Sequence, residues 1–135
     1  MRVLALDYGS ARCGCALSDP TGTIVTPIAP VERPDTRRGV AQLQRLVREH
    51  EVQRVVVGLP LSLRGQDTEQ TCRARAFAEH LAARLEAGVQ LELHDERFTT
   101  RLAQRMPGLL ATSEDSRAAA HLLESWLAAR ERVGD

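Results

Sequence analysis

Val55-Val56-Val57 is an unbroken apolar run set between two stretches of helical periodicity. Such a run suits a strand buried on both faces, as in a parallel sheet covered by helices. Before it, Pro34-Asp35-Thr36 opens a helix that ends near Glu51. Val40, Leu43, Leu46, Val47 and His50 lie close to one face of that helix. After the run, a second helix is expected from about Asp67 to Ala87, with Ala74, Phe77, Ala78, Leu81 and Leu85 as its apolar stripe. Gly88 stops it. Val89–His94 then alternates apolar and polar residues and reads as another strand. Between the Val55–Val57 strand and the second helix, Gly58 to Gly65 reads as an apolar loop, in the position where α/β proteins bind ligands.

The first thirty residues are of a different kind. Val3–Leu6 is a short apolar strand that ends on Asp7, and Gly9 permits a sharp turn. Cys13–Leu17 is a second strand of small residues. Thr23–Val31 is a third, placed at a sheet edge because Pro27 and Pro30 have no N–H for a ladder. At the other end, a short helix over Thr99–Arg105 breaks at Pro107-Gly108, and Leu109–Ser113 is a loop. The final helix runs from about Glu114 to Arg132 with the stripe Ala119, Leu122, Leu123, Trp126, Leu127. The order β-β-β-α-β-α-β-α-α predicts an α/β protein. It has a five-stranded mixed sheet, three antiparallel strands followed by two parallel ones, flanked by helices. Residues 1–135 are expected to form a single domain.

Eighteen basic and eighteen acidic residues cancel, so the chain has no strong bulk field to attract nucleic acid. Every basic residue is arginine, a side chain suited to bidentate phosphate contacts. No stretch is long and apolar enough to span a membrane, and no signal segment opens the chain. Cys13, Cys15 and Cys72 lack metal or disulfide spacing and read as reduced thiols of a cytoplasmic protein, with Cys72 off its helix stripe and exposed.

Acidic residues stand at the ends of three elements: Asp7 after the first strand, Asp95 and Glu96 after the last, and Asp115 at the start of the final helix. Each has a structural reading. Asp7 and Gly9 are ordinary turn residues. Asp95 and Glu96 could be a solvated loop pair, and Thr112-X-X-Asp115 a helix cap. If the first strand is central, however, these ends converge. Clustered carboxylates raise one another's pKa, and a divalent cation relieves the repulsion. An all-oxygen set favours Mg²⁺ or Mn²⁺. Asp115 precedes Ala119 by one turn and so continues the core-facing stripe. Alternation puts Asp95 in line with Leu91 and Leu93, and Glu96 in line with Glu92 and His94, without deciding which reaches the site.

Four motifs in order then resemble one family. Leu6-Asp7-Tyr8-Gly9, with Arg12, Gly14, Ala16 and Ser18-Asp19, is similar to the opening of the YqgF/RuvX family of Holliday-junction resolvases. Val57-Gly58-Leu59-Pro60-Leu61 with Gly65 resembles its central loop. Asp95-Glu96-Arg97-Phe98-Thr99-Thr100 with Ala103 resembles its third motif, and Asp115 with Ala118-Ala119 and Leu122-Leu123-Glu124 its last. The resemblance implies a ribonuclease H-like, RuvC-like fold. It implies metal-dependent hydrolysis of phosphodiester bonds in branched DNA or in the 5′ end of precursor 16S rRNA. It makes Asp7, Glu96 and Asp115 the catalytic acids and ligands of Mg²⁺ or Mn²⁺, with Asp95 beside them. Arg12, Arg64 and Arg97 are then candidate phosphate contacts, and a homodimer would match the two-fold symmetry of a junction. Two features depart from the family: residues 106–113 carry no charge where a basic stretch is usual, and Ala118 stands where a fourth ligand is often found. Two other functions fit parts of the pattern. One is a non-catalytic factor that binds ribosomal RNA. The other is a nucleotide-binding domain of the actin and Hsp70 type, which also sets Asp-X-Gly on a hairpin.

Overall fold

The computed structural model describes residues 1–96 and 114–132. The strands are β1 (Val3–Asp7), β2 (Arg12–Ser18), β3 (Val25–Glu32), β4 (Arg54–Leu59) and β5 (Gln90–Asp95). The helices are α1 (Arg37–Glu49), α2 (Glu69–Ala82) and α3 (Glu114–Arg132). The expected short helix at Thr99–Arg105, the loop at Leu109–Ser113, the cap residue Thr112 and the phosphate candidate Arg97 lie outside the described residues.

The strands form one sheet in the order β3-β2-β1-β4-β5, with β1 in the middle. β1 and β2, and β2 and β3, are antiparallel, whereas β4 and β5 run parallel to β1. The proline-bearing strand is at the edge, as its missing donors require.

The Val55–Val57 run is fully buried because helices cover both faces. On one face, Leu4, Leu6, Val55 and Val57 pack with Val40, Leu43 and Val47 of α1 and Phe77, Ala78 and Leu81 of α2. On the other, Val3, Ala5, Ala16 and Val56 pack with Ala119, Ala120, Leu122, Leu123 and Trp126 of α3, with Val25 of β3 and Leu127 at the margin. Trp126 fixes that helix against the distal strands. Its Nε1 donates to Glu92 of β5, and the guanidinium groups of Arg54 and Arg130 lie 5.8 and 5.2 Å from its ring centre.

Three boundaries differ from the sequence reading. α2 ends at Ala82, five residues early, because tight turns follow in which Arg84 and Leu85 donate to Leu81 and Ala82. Gly88, with a φ of 95°, lies in the turn before β5 instead of ending the helix. β4 continues through Gly58 to Leu59, pairing with His94 and Asp95, so Gly58 belongs to the sheet and not to the loop.

Candidate active site

Alternation along β1 puts Val3, Ala5 and Asp7 on the α3 face. Asp7 ends the central strand there, and its neighbours across the sheet decide what can approach it. In the β1–β2 ladder Asp7 is directly opposite Gly14. On the other side, Leu6 pairs with Val57, so the next residue of β4, Gly58, flanks Asp7. A glycine–aspartate–glycine row therefore crosses three strands.

Each glycine leaves a space that another element fills. A Cβ at Gly14 would overlap the main-chain carbonyl of Asp115, so the start of α3 rests directly on the β2 backbone. Ser116 locks this contact. Its buried hydroxyl donates to the carbonyl of Ile28 on β3 (2.5 Å) and accepts the N–H of Cys15 (3.4 Å). A Cβ at Gly58 would overlap the Glu96 carboxylate, which lies over β4, and would press on Leu122 at 3.1 Å. The question left open at Asp95 and Glu96 is thereby answered by parity. β5 persists to Asp95, Glu92 and His94 face α3 through Trp126 and Ser125, and Glu96 continues that side.

The electrostatics follow from this crowding. Burial, then the nearby Asp115 charge, pushes Asp7 up from 3.8 to about 6, partly offset by its hydrogen bond with Glu96. Burial, the Asp7 charge and the same hydrogen bond push Glu96 up from 4.5 to about 8, and Asp95 adds to the rise. Near neutral pH, then, the Glu96 carboxyl keeps a proton and donates it to the Asp7 carboxylate. Asp115 remains about half exposed, and its Oδ2 faces Arg12 Nε at 3.7 Å. Asp7, Glu96 and Asp115 thus meet at one end of the sheet, and Asp95 contributes its field from the neighbouring position. Among the described residues, no three acid, histidine or cysteine side chains are closed into a ligand cage.

The donor set nevertheless fits a hard divalent cation. It is all oxygen, and two of its carboxyl groups are close enough to hydrogen-bond to each other and raise each other's affinity for a proton. Tyr8 steadies the turn that follows Asp7. Its ring stacks on Phe77 with centroids 4.7 Å apart, and its hydroxyl donates to Asp35. Burial and that hydrogen bond push the phenol up to about 12. Arg64 is exposed on the loop after β4. Sequence reasoning missed Ser116 and the packing role of Gly14; the one signal for Gly14 was a glycine inside a strand pattern, a mark of close backbone approach.

These contacts separate the two glycines by experiment. Gly14→Ala pushes against the main chain of Asp115 and Ser116 and is expected to cost about 1–3 kcal/mol or more, read by denaturant unfolding. Gly58→Ala meets the end of a flexible side chain and should cost less. It should displace Glu96, however, so that the pKa near 8 returns toward the ordinary carboxylate range, as measured by carboxyl NMR titration.

Comparison with known proteins agrees with this architecture. A putative pre-16S rRNA nuclease, as it is named, of Chloroflexus aurantiacus is 38% identical over 135 residues, covering 95% of this chain and 87% of its own. A protein of the same name from Nocardia farcinica is 39% identical over 145 residues, covering 98% of this chain and 80% of its own. Among solved structures, Thermus thermophilus RuvC in complex with a Holliday junction superposes with a TM-score of 0.65. It is 15% identical, covering 97% of this chain and 96% of that one. The fowlpox virus resolvase bound to Holliday junction DNA gives 0.59 at 11% identity, with 96% and 99% covered. The fold is therefore the ribonuclease H-like fold of the RuvC resolvases. The family model described as "RuvX: Holliday junction resolvase" matches residues 1–129, and this chain belongs to the RuvX family.

Proposed function

We propose that this protein is a divalent-cation-dependent endonuclease that hydrolyses phosphodiester bonds of structured nucleic acid. The observation that carries this reading is the convergence of three acids at the end of the central strand: Asp7 hydrogen-bonded to Glu96, which lies over Gly58, with Asp115 seated on Gly14 beside them. A half-buried pair of this kind is costly to the fold and is suited to exchanging its proton for a cation. Precursor 16S rRNA is the first substrate to test, from the name carried by relatives 38–39% identical. A four-way DNA junction is the second, from the family description.

Asp7, Glu96 and Asp115 are the residues proposed to hold Mg²⁺ or Mn²⁺. When bound, the ion supplies Lewis acidity toward a phosphate oxygen and a lowered pKa for a bound water. The chain's own groups do the rest. Glu96 gives up its proton and becomes an acceptor that orients water. Asp7, flanked by glycines, keeps its carboxylate central. Arg12 is placed to neutralise a phosphate oxygen next to Asp115. Asp95 is not given a ligand role, because alternation turns it from the face that Glu96 occupies.

The test compares cleavage of a labelled 16S precursor, a four-way junction and a plain duplex, each with Mn²⁺ and with chelator. Cleavage of a structured substrate only in Mn²⁺ is expected. Failure of the wild type to cut any of the three in Mn²⁺ overturns the reading in favour of an RNA-binding factor.

A further inference from the structure

With no net charge on the chain, a substrate phosphate backbone must be gripped by a local group of cations. Most arginines that flank the helices are already engaged. Arg48 pairs with Glu86, Arg54 with Glu92, Arg73 with Glu69 and Arg75 with Asp67. Arg45 and Arg64 are exposed without an ion pair among the described residues, but each stands alone, whereas Arg33, Arg37 and Arg38 fall within six residues of one another. All three are exposed, and no carboxylate among the described residues lies within ion-pair distance of any of them.

Their position is fixed to the acid centre. The Arg33 N–H donates to the carbonyl of Ala11 (2.9 Å), the residue before Arg12, so the β3–α1 connection is bonded to the turn between β1 and β2. Arg12 in turn faces Asp115. The Arg33 carbonyl accepts both the N–H and the hydroxyl of Thr36, the N-cap of α1. This closes a tight bend in which Arg33 has a φ of 44°. Arg37 and Arg38 follow in the first turn of α1, which contains no acid. Positive charge in that turn opposes the helix dipole, so these side chains do not serve α1 itself. Two acids share the stretch. Asp35 is occupied by the Tyr8 hydroxyl, and Glu32 is exposed at the end of β3, opposite Arg12.

We propose that Arg33, Arg37 and Arg38 extend Arg12 into a ridge on the β3–α1 shoulder that binds the phosphates of the substrate strand leading away from the cut. This deepens the nuclease reading and rests on it for the direction of the strand. The ridge contacts phosphates and not base edges, so it contributes affinity without sequence preference. It also sets the substrate path toward the β2–β3 flank of Asp7, where the β3–α1 connection is bonded to the β1–β2 turn. Arg64, on the loop after β4, approaches from the opposite flank of Asp7.

The test measures fluorescence anisotropy, in chelator, of a synthetic four-way DNA junction and of an RNA duplex with a single-stranded 5′ extension, across a salt series. Three proteins are compared: wild type, the triple variant Arg33→Ala, Arg37→Ala, Arg38→Ala, and a charge-matched control, Arg45→Ala, Arg48→Ala, Arg84→Ala. The ridge variant should bind about tenfold more weakly or worse, with the log–log salt slope reduced by roughly 2–3, near 0.9 per lost phosphate contact. The control should change less than about twofold. Lysine at the three ridge positions should restore most of the binding, which an unfolded or misfolded variant would not. In Mn²⁺ cleavage assays, the ridge variant should raise KM and leave kcat near wild type. Equal losses in ridge and control variants, an unchanged salt slope, or a wild type that binds neither probe overturns the ridge. A wild type that binds but never cleaves leaves the ridge result readable and rejects only the nuclease.

Discussion

Asp7→Asn is expected to abolish cation-dependent cleavage, by roughly 10³-fold, while making the cation-free protein more stable at pH 8. The two effects have one origin. Asp7 is half-buried beside Glu96 and Asp115, and burial together with the Asp7 charge raises Glu96 to about 8. Asparagine keeps the volume and a hydrogen-bonding oxygen but removes the charge. Glu96 then loses its second-largest perturbation and falls toward the ordinary range. The same substitution takes away the central oxygen donor of the proposed cation site, and losing one such electrostatic group commonly costs a factor of 10²–10³. Cleavage of the junction or precursor in Mn²⁺ and thermal unfolding in chelator check the two halves. A folded variant that cuts at near wild-type rate removes Asp7 from the proposed ligand set. Asp115→Asn should also lose cleavage, but with a smaller gain in stability, since Asp115 is half exposed and paired with Arg12.

In the cation-free protein, melting temperature is expected to fall as pH rises from about 4 to 8, and Mg²⁺ or Mn²⁺ should reverse the fall. Both carboxyl groups hold their protons more tightly folded than unfolded, at about 6 and about 8 against 3.8 and 4.5. Below pH 4 both states are protonated and the pair contributes nothing to the pH dependence. Between these limits the unfolded chain ionises and the folded one resists, so the unfolded state gains. The loss is complete about one unit above pH 8, once the folded Glu96 has also ionised. A cation that binds the ionised pair stabilises by mass action and must displace the proton first. Its effect on melting should therefore be several degrees larger at pH 8 than at pH 5.5, and binding should release protons, measurable by calorimetry in buffers of different ionisation enthalpy. Glu96→Gln should flatten the pH dependence. A cation-induced shift independent of pH would show that the ion binds elsewhere.

Much of this was legible because the two sequence periods are clear. The valine run required a strand covered on both sides. The prolines of β3 required an edge, and the stripe of α3 gave its limits and the approach of Asp115. That Glu96 and not Asp95 hydrogen-bonds to Asp7 was not legible from alternation, although the family resemblance pointed to Glu96, because it depends on β5 keeping its alternation past His94. That persistence comes from pairing Asp95 with Leu59, a contact with no local signature. Gly58 looked like the start of a loop for the same reason. Asp115 was expected to point toward the sheet. Instead its main chain is pressed onto Gly14 and its carboxylate is shared between the centre and Arg12, an outcome set by the depth at which α3 seats.

That seating has a consequence in time. Ser116 of α3 reaches across 101 positions of sequence to Cys15, and α3 alone, among the described residues, covers one face of the sheet. A chain emerging during synthesis can pair β1 with β2 at once, and so exposes Asp7 long before Asp115 exists to join it. On the proposed reading, a nascent copy is therefore chemically silent toward nucleic acid around it, and cutting begins only when the last helix docks. Local opening of α3 in the finished protein would switch the centre off in the same way, and hydrogen exchange in that helix would report how often this happens.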